Sequence, residues 1–259
     1  MNKLLLVGVV LGLAFAVGAE EASAPLTKEQ KQELRKARRG QRLAEAGGLV
    51  ERETKGKGAL IVNAQSSIPM DRIAAVAASI RGLALVKVEV ETGDPSKAHR
   101  PTPQHPVVVA VIDDPASDAT ILVAPEQNWA TINVNTLLRD NPSAEVAASR
   151  IHKEIWRATA MAMGAANSMT QPCLLRQINT LKELDHTKNL LPSPQPINNM
   201  IEVADKLGIV RVQRATYRRA CQEGWAPAPT NDVQKAIWEQ THQIPDKPIT
   251  IEYDPKKDK

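Results

Sequence analysis

From Ala59 onward the hydrophobic and polar positions follow two rhythms, and their succession predicts the elements of a folded core. ALIVNA, residues 59–64, is a short apolar run with the pattern of a buried strand. In SIPMDRIAAVAASIRGL the residues Ile73, Ala77 and Ile80 recur at helical spacing, and Gly82 stands near the end of the run. LALVKVEVETG alternates Val86, Val88 and Val90 with Lys87, Glu89 and Glu91, which predicts a half-buried strand. A polar, proline-bearing stretch, DPSKAHRPTPQHP, separates it from three closely spaced strands in VVVAVID, ATILVAP and WATINV. The connectors DPASD and EQN are of hairpin length and rich in turn formers. The core therefore opens with a strand, a helix and about four further strands.

A long helical period comes next. DNPSAEV offers Asn141 or Ser143 as a cap, with Pro142 at the approach. Ala144, Ala148, Ile151, Ile155, Ala158 and Ala162 then form one apolar stripe, which Gly164 ends. Beyond it the pattern predicts a loop and a helix from Ile197 to Leu207. Further helices lie in ATYRRACQEGW and NDVQKAIWEQTHQ, the latter with Asn231 and Gln234 spaced for a capping box. Near the start, TKEQKQELRKARRGQRLAEA has strong helix formers but only Leu34, Ala37, Leu43 and Ala44 to bury. It reads as a solvated helix or a frayed linker, interrupted by the glycines of GGLVERETKGKG.

The first residues add a compartment. One lysine, Lys3, precedes an apolar run from Leu4 to Val17 and small residues ending at Ala19. That is the pattern of a secretory signal peptide cleaved after Ala19, and it predicts a secreted or periplasmic protein. The run is shorter than the roughly 20 apolar residues that span a bilayer, so no transmembrane segment is expected. The expected organisation is a signal peptide at 1–19, a basic helical or linker segment at 20–58, a core at 59–179, a helical part at 180–245 and a polar tail at 246–259. The single phenylalanine, Phe15, falls in the signal, so the core must pack with Ala, Val, Ile and Leu. Of the net charge of +4, much is local: between Lys28 and Lys57 ten Lys or Arg face five Glu. Such a segment serves as a soluble tether or meets anionic lipid or cell-wall polymer outside the cell, where nucleic acid is not an expected partner.

The candidate chemistry sits on the long helix, in ASRIHKEIWRATAMAMG. A zinc-binding HExxH helix sets two histidines four apart on one face, with the glutamate polarising the metal-bound water. Here the pairs four apart are His152 with Trp156 and Lys153 with Arg157. Lysine and arginine carry protons where a ligand needs a lone pair, so neither zinc nor another cofactor is expected. His99 and His105, six positions apart, lie in the proline-rich loop. Glu154 follows Arg150 by four and precedes Arg157 by three. Two readings follow: a solvated ion-pair face, or a partly buried carboxylate neutralised by Lys153 and Arg157. Trp129 and Trp156 read as core or cleft-wall residues, and His186 as a loop residue. Cys173 and Cys221 in an oxidising compartment predict a disulfide, with two buried thiols as the alternative.

The order of elements over Ala59–Asn179 resembles the zincin peptidases, and within them the metzincins, archaemetzincin-like proteins in particular. That resemblance implies an α/β (α+β) fold: a mixed sheet of about five strands, a long site helix and a mostly helical C-terminal part. It places Lys153 and Arg157 at the positions of the first two histidine ligands, Glu154 at the glutamate, Ala160 at the glycine and Met163 at the third histidine. NSMTQPCLL is similar to the cysteine-bearing stretch that follows the site in archaemetzincins, with Cys173 its counterpart. The tail TYRRACQEGWAPAPTNDVQKAIW is similar to one in exported bacterial proteins. With every ligand replaced, the expectation is an exported, non-catalytic pseudo-peptidase that binds a peptide or an anionic cell-envelope partner through a remnant cleft, or serves structurally. One rival is a hydrolase using Glu154 with His152; another is an envelope tether acting through the basic segment.

Overall fold

The structure, a computed structural model, describes residues 27–52, 54–65, 67–166, 173–188 and 191–242. The expected signal peptide and the 246–259 tail lie outside the described residues. The chain divides after Glu45 into two compact units. In the first, α1 (Lys28–Glu45) is an 18-residue helix with no buried residue. Its start is fixed by a reciprocal pair: the Thr27 N–H donates to Gln30 Oε1 (2.9 Å) and the Gln30 N–H to Thr27 Oγ1 (3.2 Å).

The second unit runs β1 (Leu49–Glu51), β2 (Ala59–Asn63), α2 (Met70–Ala84), β3 (Val88–Thr92), β4 (Val107–Ile112), β5 (Ile121–Ala124) and β6 (Trp129–Asn133). Then follow α3 (Val134–Leu138), α4 (Ala144–Ala162), α5 (Leu181–His186), α6 (Pro194–Leu207), β7 (Arg214–Thr216), α7 (Tyr217–Gln222) and α8 (Asp232–His242). Five strands form one mixed sheet in the order β3-β2-β4-β6-β5. All neighbours are parallel except β5, which runs antiparallel to β6 at the edge. The connector EQN makes a hairpin, but DPASD does not: β6 lies between β4 and β5. The cause is burial. Val107–Val111 are all buried and need neighbours on both sides, whereas the half-exposed β5 suits an edge.

One face of the sheet carries α2 and α4. Ile61, Val109, Val111 and Ile132 share an apolar cluster there with Ile73, Ile80, Ile155 and Trp156. The opposite face presents Leu60, Val62 and Val108, a smaller cluster joined by Ile112. The β3–β4 connection is tied to the sheet: the Gly93 N–H donates to Asn63 O (2.9 Å), and Arg100 stacks 3.9 Å over Trp129.

Helix α4 starts where expected, the Ser143 hydroxyl accepting from the Val146 N–H at 3.3 Å. Gly164 follows its end with φ +75°, and a Cβ there would meet Val203 Cγ2 at 2.9 Å, so glycine is required twice over. Helix α6 begins at Pro194, earlier than the apolar period indicates, because proline is accommodated in a first turn.

The chain around Leu49, expected to be linker, forms a two-stranded antiparallel ribbon with β7, Leu49 opposite Thr216. Tyr217, Cys221 and Ile237 pack beneath it as a third cluster. Gln234 receives the Thr230 N–H (2.8 Å), donates its own N–H to Asn231 Oδ1 (3.0 Å), and reaches Gly47 O with its amide (2.8 Å). The predicted cap therefore also secures the chain's entry into the core.

Candidate functional site

The polar residues of α4 do not face solvent. Arg150, Lys153, Glu154 and Arg157 recur at i, i+3, i+4 and i+7, one stripe along the helix, and they are only 2%, 3%, 2% and 4% exposed. Ile151 and Ile155 turn into the core beside Trp156, as the apolar stripe requires. The solvated ion-pair face is therefore overturned: Glu154 is a buried carboxylate beside Arg157, as the alternative has it, but one that is covered by the chain. Residues 173–187 cover the charged stripe, and backbone carbonyls there take up Lys153 and Arg157.

Lys153 Nζ donates to Leu184 O at 2.8 Å. Arg157 Nη1 donates to Leu174 O (3.2 Å) and Arg176 O (2.9 Å), while its Nε lies 3.2 Å from Glu154 Oε1. Glu154 Oε2 is buried without a hydrogen-bond partner. Burial pushes the Glu154 carboxyl above the usual carboxylate range, against the pull of Arg157 and Lys153. Burial likewise lowers the Lys153 ammonium, with Asp185 opposing.

Arg150 ignores Glu154. It forks to Asp185 through Nε and Nη2 (2.8 and 2.6 Å) and to Asp140 through Nη1 and Nη2 (2.6 and 2.8 Å), and adds Leu137 O at 2.8 Å. Asp185, then Asp140, raises the guanidinium further, and hydrogen bonds from Arg150 hold both carboxyls below their usual range. Asp140 and Asp185 belong to this cluster although no spacing in the sequence pointed to them. Only the fold brings them to α4.

Met163 is a fully buried core residue at the end of α4. His152 lies two positions from Glu154, hence about 200° away around the helix, and the two side chains diverge. Trp156 is core, its indole N–H directed at Ser79 Oγ (3.3 Å), and His186 ends α5. His99 and His105 stay apart, the first against Asp94 O (3.0 Å), the second against Glu89 Oε2 (2.9 Å).

The expected Cys173–Cys221 bridge is not formed. Both are buried thiols in separate apolar clusters, Cys173 accepting from Ser193 Oγ at 3.3 Å and Cys221 packed with Tyr217. The intervening segments dock on different parts of the unit, so the two sulfurs are held by packing in different places.

Zinc does not fit the α4 residues. At the two ligand positions stand cations that are already donating, and the oxygens around them are carbonyls already accepting. Among the described residues no three His, Cys, Asp or Glu side chains converge as a metal set.

A cleft of about 1020 Å³ lies elsewhere, outside the carboxyl ends of β2, β3 and β4, where open parallel sheets place ligands. Asn63 and Gln65 line it together with Lys97 and His99 from the β3–β4 connection and Asp113 and Asp114 after β4. Asn133 fixes the carboxylate wall, its Oδ1 accepting the Asp114 N–H (3.0 Å) and its amide reaching Asp114 O (2.8 Å). No described helix is long and apolar enough to cross a membrane.

No family model matches the chain, and no curated protein matches it. Two solved structures are similar to it. Archaemetzincin from Methanopyrus kandleri is 15% identical with a TM-score of 0.46, over 58% of this chain and 96% of that one. A zinc-dependent peptidase from Methanocorpusculum labreanum is 12% identical with a TM-score of 0.43, over 55% of this chain and 100% of that one. Neither likeness assigns a family or an activity; what the structure itself displays is a mixed α/β core with a five-stranded sheet and a long helix packed across it.

Proposed function

We propose that this is an exported, non-catalytic, zincin-like protein that holds a peptide or cell-envelope partner on a core braced where a peptidase would carry its metal. The observation that supports it is the fate of Lys153 and Arg157. At the positions the sequence resemblance gives to the first two ligands, these cations donate to the carbonyls of Leu184, Leu174 and Arg176. The buried Glu154 is left facing Arg157 and is closed off from solvent. In this reading the peptide occupies the cleft beyond β2, β3 and β4, whose lining includes Lys97 as well as Asp113 and Asp114 and so offers both signs of charge to a bound chain.

The test is metal analysis of the purified protein together with a chelator melt and a broad peptidase screen. Zinc well below one per chain, a melting temperature unmoved by chelator and no peptide cleavage are expected. One zinc per chain, or cleavage abolished by chelator, would instead favour the hydrolase reading.

A further inference from the structure

Helix α1 carries a charge arrangement of its own. At about 100° per residue, Lys28, Lys31, Arg35, Arg38, Arg39 and Arg42 fall within a single arc of about 100°. From Lys28 to Arg42 the stripe extends about 21 Å, at 1.5 Å per residue. All six are exposed. Glu29, Glu33 and Glu45 lie on the remaining surface with a seventh cation, Lys36, and the helix forms no internal ion pair with the stripe; its one side-chain pairing at this spacing is Gln41 with Glu45. Lys31 and Arg35, Arg35 and Arg39, and Arg38 and Arg42 are like charges four apart, an arrangement that weakens a helix. The six cations therefore repel one another along one side, and an external anion relieves that repulsion.

We infer that α1 is a docking surface for an anionic phospholipid bilayer. Four of the six cations are arginines, whose planar forks match phosphate oxygens in pairs. A straight one-sided stripe lets every side chain reach one plane, where mobile headgroups gather beneath it; a flexible polymer would have to order itself along the helix to do the same. Leu34 and Leu43 lie on opposite flanks of the stripe and form no apolar face, so the helix adsorbs by charge without burying itself in the acyl region. The inference deepens the envelope-binding part of the proposed function and rests on that part alone.

The test uses the full chain with vesicles of phosphatidylglycerol and phosphatidylcholine against vesicles of phosphatidylcholine alone. Comparison with the two variants below, which keep Lys3 and the apolar run Leu4–Val17, cancels any contribution of that run. Two variants accompany it: Lys31→Gln/Arg35→Gln/Arg38→Gln/Arg42→Gln, and the charge-conserving exchange Ala37→Arg/Arg38→Ala/Gln41→Arg/Arg42→Gln, which moves two cations off the stripe. The wild type should bind the anionic vesicles at least about tenfold more tightly than the neutral ones, with the preference lost in high salt. The neutralised variant should lose the preference, and the exchange variant should lose most of it at unchanged net charge, both keeping the core's melting temperature. Equal binding to the two vesicles, or an exchange variant that binds like the wild type, overturns the inference. So does binding to soluble polyphosphate or duplex DNA without the vesicle preference, which assigns the stripe to a polymer. Zinc or peptidase activity in the core leaves this experiment untouched.

Discussion

Arg150 and Asp185, thirty-five positions apart, are joined by two hydrogen bonds of 2.8 and 2.6 Å, and the same guanidinium grips Asp140 from its other side. The side chain is 3% exposed, so its charge is compensated by these two carboxylates and by little water. Arg150→Ala should cost on the order of 3 kcal/mol, because it opens a buried site and strands the Leu137 carbonyl. Arg139→Ala, which breaks an exposed pair with Asp118, should leave the melting temperature nearly unchanged. Asp140 and Asp185 have folded pKa values below 3.8, so their contribution is present above 3.8 and is lost as the pH falls through the folded values. Thermal melts of both variants from pH 3 to pH 7 check the order and the acid limb, and equal loss for the two variants would contradict it.

Glu154 has the opposite sign. Its folded pKa is raised above 4.5, so it favours the fold most below 4.5, and that contribution is lost as the pH rises through the folded value. Glu154→Gln keeps the shape without a charge to desolvate. Its stability relative to the wild type should improve as the pH rises above 4.5 and level off once the wild-type carboxyl has ionised. Parallel melting curves for the two proteins would show that the carboxyl titrates as an ordinary glutamate.

Lys153 is a second buried charge, and Leu184 O, which accepts from it, also accepts the Thr187 N–H at 3.2 Å. Removing the ammonium therefore leaves the carbonyl bonded. Lys153→Met, of similar length, should be neutral or stabilising, whereas Lys153→Ala should cost about 2–3 kcal/mol through the cavity it leaves. Denaturant unfolding of the two variants distinguishes the cases; a Met variant as weak as the Ala variant would mean that the charge itself holds the segment.

Cys173 and Cys221 should both be slow toward thiol reagents in the native protein, since each is buried and burial raises the Cys221 thiol. Unfolding should release two titratable thiols per chain. Recovery of neither thiol from unreduced, unfolded protein would show that the pair oxidises.

Much of the fold is legible from periodicity. Alternation in LALVKVEVETG, the apolar runs before and after it, and the i, i+3, i+4 stripe of α4 each mark the element that forms. The burial of α4's charges is not legible, because Arg150, Lys153, Glu154 and Arg157 repeat at the spacing of a solvated helix face. What decides the matter is the segment from Cys173 to Thr187, which settles over that face and offers carbonyls, and carbonyls leave no signature in side-chain pattern. The ribbon of Leu49–Glu51 with Arg214–Thr216 escapes for a related reason: three residues are too few to show a period.

That ribbon also sets a schedule for the growing chain. Gly47, with φ +79°, leaves no space for a side chain beneath Tyr217, and its carbonyl takes the Gln234 amide from 187 positions later. The first strand among the described residues thus finds its partner only after more than 160 further residues have been made, about 163 separating Leu49–Glu51 from Arg214–Thr216. Until then Leu49–Glu51 is an unpaired edge, open to holding factors, and closure of the ribbon waits for the segment that carries Arg214–Thr216 and Gln234.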